Sequence, residues 1–160
     1  MARIAPLRLL AQDPDDLEII SAAMQDAVAK VGDINFEPKA RRLTIGFNRY
    51  LWEAGEKARV RSALQLGGVL KVQARKIRRG VRDAVIVVLA VTFEPGEAPE
   101  AVIELLAIEF EPAGPDDPAG VVVLRFAGDA DLRLEVECVD ACLADLSDPW
   151  PTPRRPGHEA

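Results

Sequence analysis

Hydrophobic residues near the start of the chain recur every three or four positions, at Leu17, Ile20, Met24, Val28 and Val31, which predicts one stripe of an amphipathic helix. Asp13 is placed to cap it, Pro14 suits the first helical position, and Asp15, Asp16 and Glu18 set negative charge where the helix dipole is positive. Gly32 is placed to end it. From Asp33 the period falls to two. INFEP (34–38) and RLTIGFN (42–48) read as strands joined by a Pro-Lys-Ala-Arg turn. Leu43, Ile45 and Phe47 fall on one face, and Thr44, Gly46 and Asn48 on the other.

The next two alternating stretches, RVRSALQL (59–66) and LKVQARKI (70–77), surround Gly67-Gly68 and predict a hairpin. A two-residue turn would mix apolar and polar faces. A loop over 67–69 instead pairs Leu66 with Leu70, Leu64 with Val72 and Ser62 with Ala74. That register sets Arg61 opposite Arg75, an unfavourable pairing, so something negative is expected beside them: an acid from a neighbouring strand or an anionic ligand.

Further along, VVLAVTFEP (87–95) and ELLAIEFEP (104–112) share one pattern, each a strand stopped by proline. The stretch 84–93 is apolar on both faces, as a central, covered strand would be. VVVLRF (121–126) and DLRLEVE (131–137) form a hairpin around Gly128-Asp129. A short helix is expected over 139–146, with Cys138, Cys142 and Leu146 facing the sheet. Residues 1–147 make one domain. Residues 148–160, rich in proline, make an extended or disordered tail pinned by Trp150.

These elements predict an α+β fold. About seven or eight antiparallel strands form a bent sheet, sandwich or partly open barrel, with a helix at each end of the chain, an arrangement that also fits a pleckstrin-homology-like barrel. Charge changes the picture, because the net value of -6 hides a split. Between Lys39 and Arg82 stand 13 basic residues against two acids, and elsewhere seven against 24. The two parts pair with each other, or the basic one meets an anion. A pI near 4.9 argues against a nucleic-acid binder. No stretch has the length of a signal-peptide core or a membrane span, which points to a cytoplasmic protein, and Cys138 and Cys142 are expected to be reduced packing residues.

Catalytic signatures are missing. The chain has no Gly-rich phosphate loop with lysine, no nucleophile elbow and no metal-ligand spacing, and its one histidine, His158, lies in the tail. No cofactor is expected. The tail's PRRP (153–156) has the composition of a polyproline ligand or of a solvated terminus. FNRYLWE (47–53) holds three of the chain's eight aromatic residues. Strand alternation puts Phe47 on the core face and Asn48, Tyr50 and Trp52 on the other. The candidate ligand or partner surface is therefore Asn48, Arg49, Tyr50, Trp52, Arg61 and Arg75. An exposed Trp52 beside Arg61 would favour recognition. A buried one, with Arg49 paired to an acid, would favour core.

The stretches ISAAMQDAVAKVGDI, RRLTIGFNRYLWE, RVRSALQLGGVLKVQAR, LLAIEFEP, FAGDADLRLEVECVDACLADL and PWPTPRRPGH resemble an uncharacterised, mainly alphaproteobacterial family catalogued as a domain of unknown function. The resemblance covers nearly the whole chain. It implies one bacterial domain and carries over no site residues. The expected function is a non-catalytic binding or accessory module working through its basic hairpin or a sheet edge, with a protein partner, a second copy of itself or an anionic ligand as what it binds. The alternatives are an anion or enzyme site at the central arginines, and a homo-oligomer joined by basic-to-acidic surface pairing.

Overall fold

The computed structural model describes residues 6–54, 57–96, 117–153 and 156. Eleven strands and one α-helix are formed there: β1 (Arg8–Ala11), α1 (Pro14–Met24), β2 (Val28–Lys30), β3 (Ile34–Glu37), β4 (Arg42–Tyr50), β5 (Ala58–Leu66), β6 (Val69–Arg75), β7 (Val85–Pro95), β8 (Gly120–Phe126), β9 (Ala130–Val136), β10 (Ala141–Asp145) and β11 (Trp150–Pro151). The strands run antiparallel in the order β1-β10-β5-β4-β2-β7-β8-β9-β6, with β3 added to β4 and β11 to β5. The sheet is not closed, since its two terminal strands do not pair with each other. Leu43, Ile45, Phe47, Leu64, Val88, Leu124, Leu134 and Leu143 fill the core, and Leu17, Ile20 and Met24 of α1 pack into it.

The helix starts where its sequence places it: the Asp13 side chain accepts the Asp16 amide at 2.8 Å, and Pro14 follows. It ends a turn or more before Gly32. Asp26 takes the left-handed conformation at φ 61° and donates its amide to the Val88 carbonyl, turning the chain into β2 between β4 and β7. Asp tolerates that conformation, and the β-branched Val28 serves a strand as readily as a helix. The helical spacing of Val28 and Val31 was coincidental.

β3 and β4 pair as their alternation predicts, with Ile34 opposite Ile45, Phe36 opposite Leu43, and Glu37 opposite Arg42. The β8–β9 hairpin also forms, turning at Gly128 and Asp129, both at positive φ. The expected 59–77 hairpin does not. β5 pairs with β4, β10 and β11, while β6 pairs with β9, so Gly67-Gly68 carries the chain from one part of the sheet to another. Arg61 therefore does not oppose Arg75. In the observed register Lys71 faces Glu135 and Arg75 faces Asp131, which replaces like-charge opposition with attraction.

The expected C-terminal helix is strand β10. A spacing of four fits both a helical face and one side of a strand, so Cys138, Cys142 and Leu146 satisfied either reading. Ala141 and Leu143 of the strand turn inward, as does Val139 before it; Leu146 after it is exposed, and both free cysteines are half-buried. The helix on which the pleckstrin-homology-like expectation depended is thus absent among the described residues, and the strands exceed the seven or eight expected. Trp150 and Pro151 pair with Arg59 and Ala58. The expected strand 104–112 lies outside the described residues, as do Arg154, Arg155 and His158.

Candidate functional site

The sequence candidates separate onto opposite faces of β4. Arg49 follows Leu43, Ile45 and Phe47 on the inward face, and only 1% of its side chain is exposed. Its Nε and Nη2 donate to the two carboxylate oxygens of Asp145 at 2.8 and 2.9 Å, and Nη1 and Nη2 donate to Glu53 at 3.1 and 2.9 Å. Asp145 also accepts the Ser62 hydroxyl at 2.7 Å and the Leu7 amide at 2.8 Å. Burial pushes the Asp145 carboxyl up, but the hydrogen bonds from Arg49, Ser62 and Leu7 outweigh it and hold its pKa below the ordinary value. Glu53 is lowered in the same way, with burial opposed chiefly by Arg49. The guanidinium is consumed by its own chain.

On the outward face, Asn48 pairs across the ladder with Arg61, and Tyr50 with Arg59. Asn48 Oδ1 accepts Arg61 Nη1 at 3.3 Å, and Arg61 Nη2 lies 3.3 Å from the Asp33 carboxylate. A Cβ on Gly46 would stand 2.5 Å from Arg61 Nη2, so glycine lets the guanidinium lie against the sheet. Arg59 sits 6.0 Å above the Tyr50 ring and donates to the Asn48 carbonyl at 3.1 Å. Trp52 is half-buried, meets Tyr50 edge-on at 4.8 Å, and donates its Nε1 to the carbonyl of Gln25, the residue that caps α1. It serves a helix end whose carbonyls lack intrahelical partners. Arg75 lies on β6, bonded to Asp131 at 2.8 and 3.1 Å and to Asp129 at 3.3 Å. Asn48, Tyr50 and Arg61 come together; Arg49 and Arg75 do not join them.

A different feature was not legible in the sequence. Among the described residues β3 pairs with β4 alone and β6 with β9 alone, and side chains of both strands line a slit of about 310 Å³. One end is tied by the Val69 amide to the Arg41 carbonyl at 2.9 Å. The other is tied by the Gly32 amide to the Arg82 carbonyl at 2.8 Å. Ile34 and Phe36 line one side, Val72, Ala74 and Ile77 the other, with Leu43 and Leu132 also contributing. The residues between them, Asn35 and Gln73, are exposed, so strand alternation itself delivers the apolar lining. Arg79 and Arg82 stand at the Gly32 end, and among the described residues neither forms an ion pair with an acid. The sequence signal was the dense basic run RKIRRGVR (75–82), but nothing in it shows which strand edges stay open.

Among the described residues no group of three or more His, Cys, Asp or Glu is placed to hold a metal, and no helix is long and apolar enough to cross a membrane. Among the described residues, fold and site together define a sheet-rich α+β protein with one α-helix, an unclosed antiparallel sheet and a slit lined by side chains of β3 and β6. The chain belongs to the family described as Protein of unknown function (DUF2948), whose model matches residues 7–106 and 97–158. No curated protein and no solved structure matches it.

Proposed function

We propose that the protein is a non-catalytic binding module whose working surface is the slit between β3 and β6. The observation that carries this is the pairing of an apolar lining with Arg79 and Arg82, arginines that no acid of the described chain neutralises. Ligand clefts have this composition, a mostly apolar wall with few convergent polar groups, and 310 Å³ is the lower end of their usual size. The ligand class is one with an apolar body and an acidic group. The alternative at Arg49, Arg61 and Arg75 is weaker, because each of those guanidiniums already has an acid at hydrogen-bond or ion-pair distance.

A thermal-shift screen with medium-chain carboxylates and acidic apolar peptides tests the proposal. A ligand at a hundredfold excess over its Kd stabilises by about 2.7 kcal/mol, a readable rise in Tm. Filling the slit with Ala74→Trp is expected to abolish that rise. No shift with any member, or an undiminished shift in the filled variant, overturns the proposal.

A further inference from the structure

We infer that two copies of this chain associate, with the solvent-facing side of α1 of each copy seated on the outward face of β7 of the other. This contact lies apart from the slit and does not depend on it.

Three observations carry it. First, β7 has an exposed apolar outward face. Ile86 and Val88 turn into the core, while Val85 is 61% and Leu89 43% exposed, and Val87 between them is half-buried. Val28 of β2 stands opposite Val87 and widens the stripe. Outward positions on neighbouring strands are polar, with Thr44 and Asn48 on β4 and Arg61 and Gln65 on β5. A strand apolar on both faces is one that a second layer covers, and α1, the one α-helix of the described residues, packs into the core instead.

Second, α1 carries a face that matches the stripe. Asp15, Glu18, Ile19 and Ala22 are exposed, and their spacing of three and four residues puts them on one side of the helix, opposite Leu17, Ile20 and Met24. Ile19 is 57% exposed. From Asp15 to Ala22 that face is about 10 Å long at about 1.5 Å per residue, and from Val85 to Leu89 the stripe is about 13 Å at about 3.3 Å per residue. Ile19 and Ala22 therefore lie along it.

Third, the charges are complementary. Lys30 stands opposite Val85 at one end of the stripe, and its acid, Asp83, is 3.9 Å away and almost wholly exposed. On α1, Asp15 and Glu18 border Ile19, and neither forms an ion pair among the described residues. Acid on the helix thus meets base on the strand. Residues 97–116 hold six acids and no base, so they complement the stripe but repel the α1 face, whereas a second copy satisfies both. Ser21 of α1 accepts the Val91 amide at 2.9 Å, so helix and stripe are neighbours, and one two-fold axis brings both pairs together in a closed dimer.

Sedimentation velocity of the full chain over a range of concentrations is expected to show a monomer–dimer equilibrium that weakens as salt rises, because exposed ion pairs are screened. Ile19→Lys and Leu89→Lys each replace an exposed residue, and each is expected to weaken dimerisation about tenfold or more while leaving circular dichroism and Tm unchanged. Glu18→Lys alone and Lys30→Glu alone each set like charges together at both contacts and are expected to be monomeric. Mixed, the two variants restore an acid–base pair at each contact and are expected to form a heterodimer.

A parent chain that stays monomeric at every concentration overturns the inference. So does a dimer that survives Ile19→Lys, which places the interface elsewhere, or one lost in Leu89→Lys but indifferent to Glu18→Lys, which sets stripe against stripe. Charge-reversed variants that fail to recombine overturn the helix-on-strand contact. A dimer that appears only when residues 97–116 are replaced by a Gly-Ser linker of equal length assigns the stripe to the chain's own acidic residues, and also overturns the inference.

Discussion

Arg49 and Arg79 belong to the same basic stretch, and their surroundings are opposite. Arg49 is buried between β4 and β10 with its donors spent on Asp145 and Glu53. Arg79 is exposed at the mouth of a slit, and no ion pair to it forms among the described residues. The difference comes from the neighbouring elements, since β10 brings an acid to the first and, among the described residues, none brings an acid to the second. A buried ion pair is held because each partner would be costly alone, which makes it structural. An exposed charge beside an apolar slit costs the fold little and is available to a ligand.

The comparison is broken most directly by removing one charge from each region. Asp145→Ala is expected to cost about 3 kcal/mol in urea unfolding, because it leaves the buried Arg49 guanidinium with Glu53 as its one acid and takes the acceptor from the Leu7 and Ser62 donors, whereas Arg79→Ala is expected to cost no more than about 0.5 kcal/mol. Equal losses would mean that the two arginines are not of different kinds. Replacing the buried pair together, Arg49→Met with Asp145→Leu, is expected to recover much of the loss.

Acid sharpens the same contrast. The folded pKa of Asp145 is lowered, so the unfolded chain binds the proton more readily. The carboxylate's contribution is therefore full above the ordinary aspartate value and declines as pH falls through that value toward the folded one. Urea midpoints measured downward from neutral pH are expected to show this decline in the parent and a shallower one in Asp145→Asn. Parallel curves would remove the pair from the acid response.

A smaller effect is expected at Arg75, whose side chain is half-exposed although its partner Asp131 is buried. Arg75→Ala is expected to lower the urea midpoint by less than Asp145→Ala and by more than Arg79→Ala, as measured by equilibrium unfolding. Smallest is Gly46→Ala. The added methyl displaces the flexible end of Arg61 from Asp33, at an expected cost of about 0.5 kcal/mol in Tm-derived stability, since the bridge it disturbs is partly solvated.

What the sequence disclosed follows the range of the interaction. The cap at Asp13, the β3–β4 pair and the β8–β9 hairpin depend on residues close in the chain, and all form. The partner of β6 does not depend on nearby residues. Gly67-Gly68 between two alternating stretches signals a turn, yet β9, far along the chain, offers Asp131 and Glu135 where β5 offered Arg61. The stretch 139–146 failed for another reason, because spacings of four do not distinguish helix from strand. At the candidate site, Arg49 and an acid do meet, whereas the acid expected beside Arg61 and Arg75 was argued from a pairing of the two that does not form; each has its own acid, Asp33 and Asp131, on a different strand or turn. The slit was not legible, because an unpaired edge is a property of every other pairing in the sheet.

The crossing at Gly67-Gly68 also sets an order of events during synthesis. β6 leaves the ribosome well before β9, and β5 before β10, so the basic middle of the chain must wait for its acidic partners. At about 5–20 residues per second that interval lasts several seconds, long enough for β5 and β6 to sample the local hairpin their sequences suggest. The opposed Arg61 and Arg75 would make that hairpin a poor resting place. Like-charge opposition disfavours that wrong pairing by a few tenths to about 1 kcal/mol, which weakens the local hairpin relative to the pairing with β9.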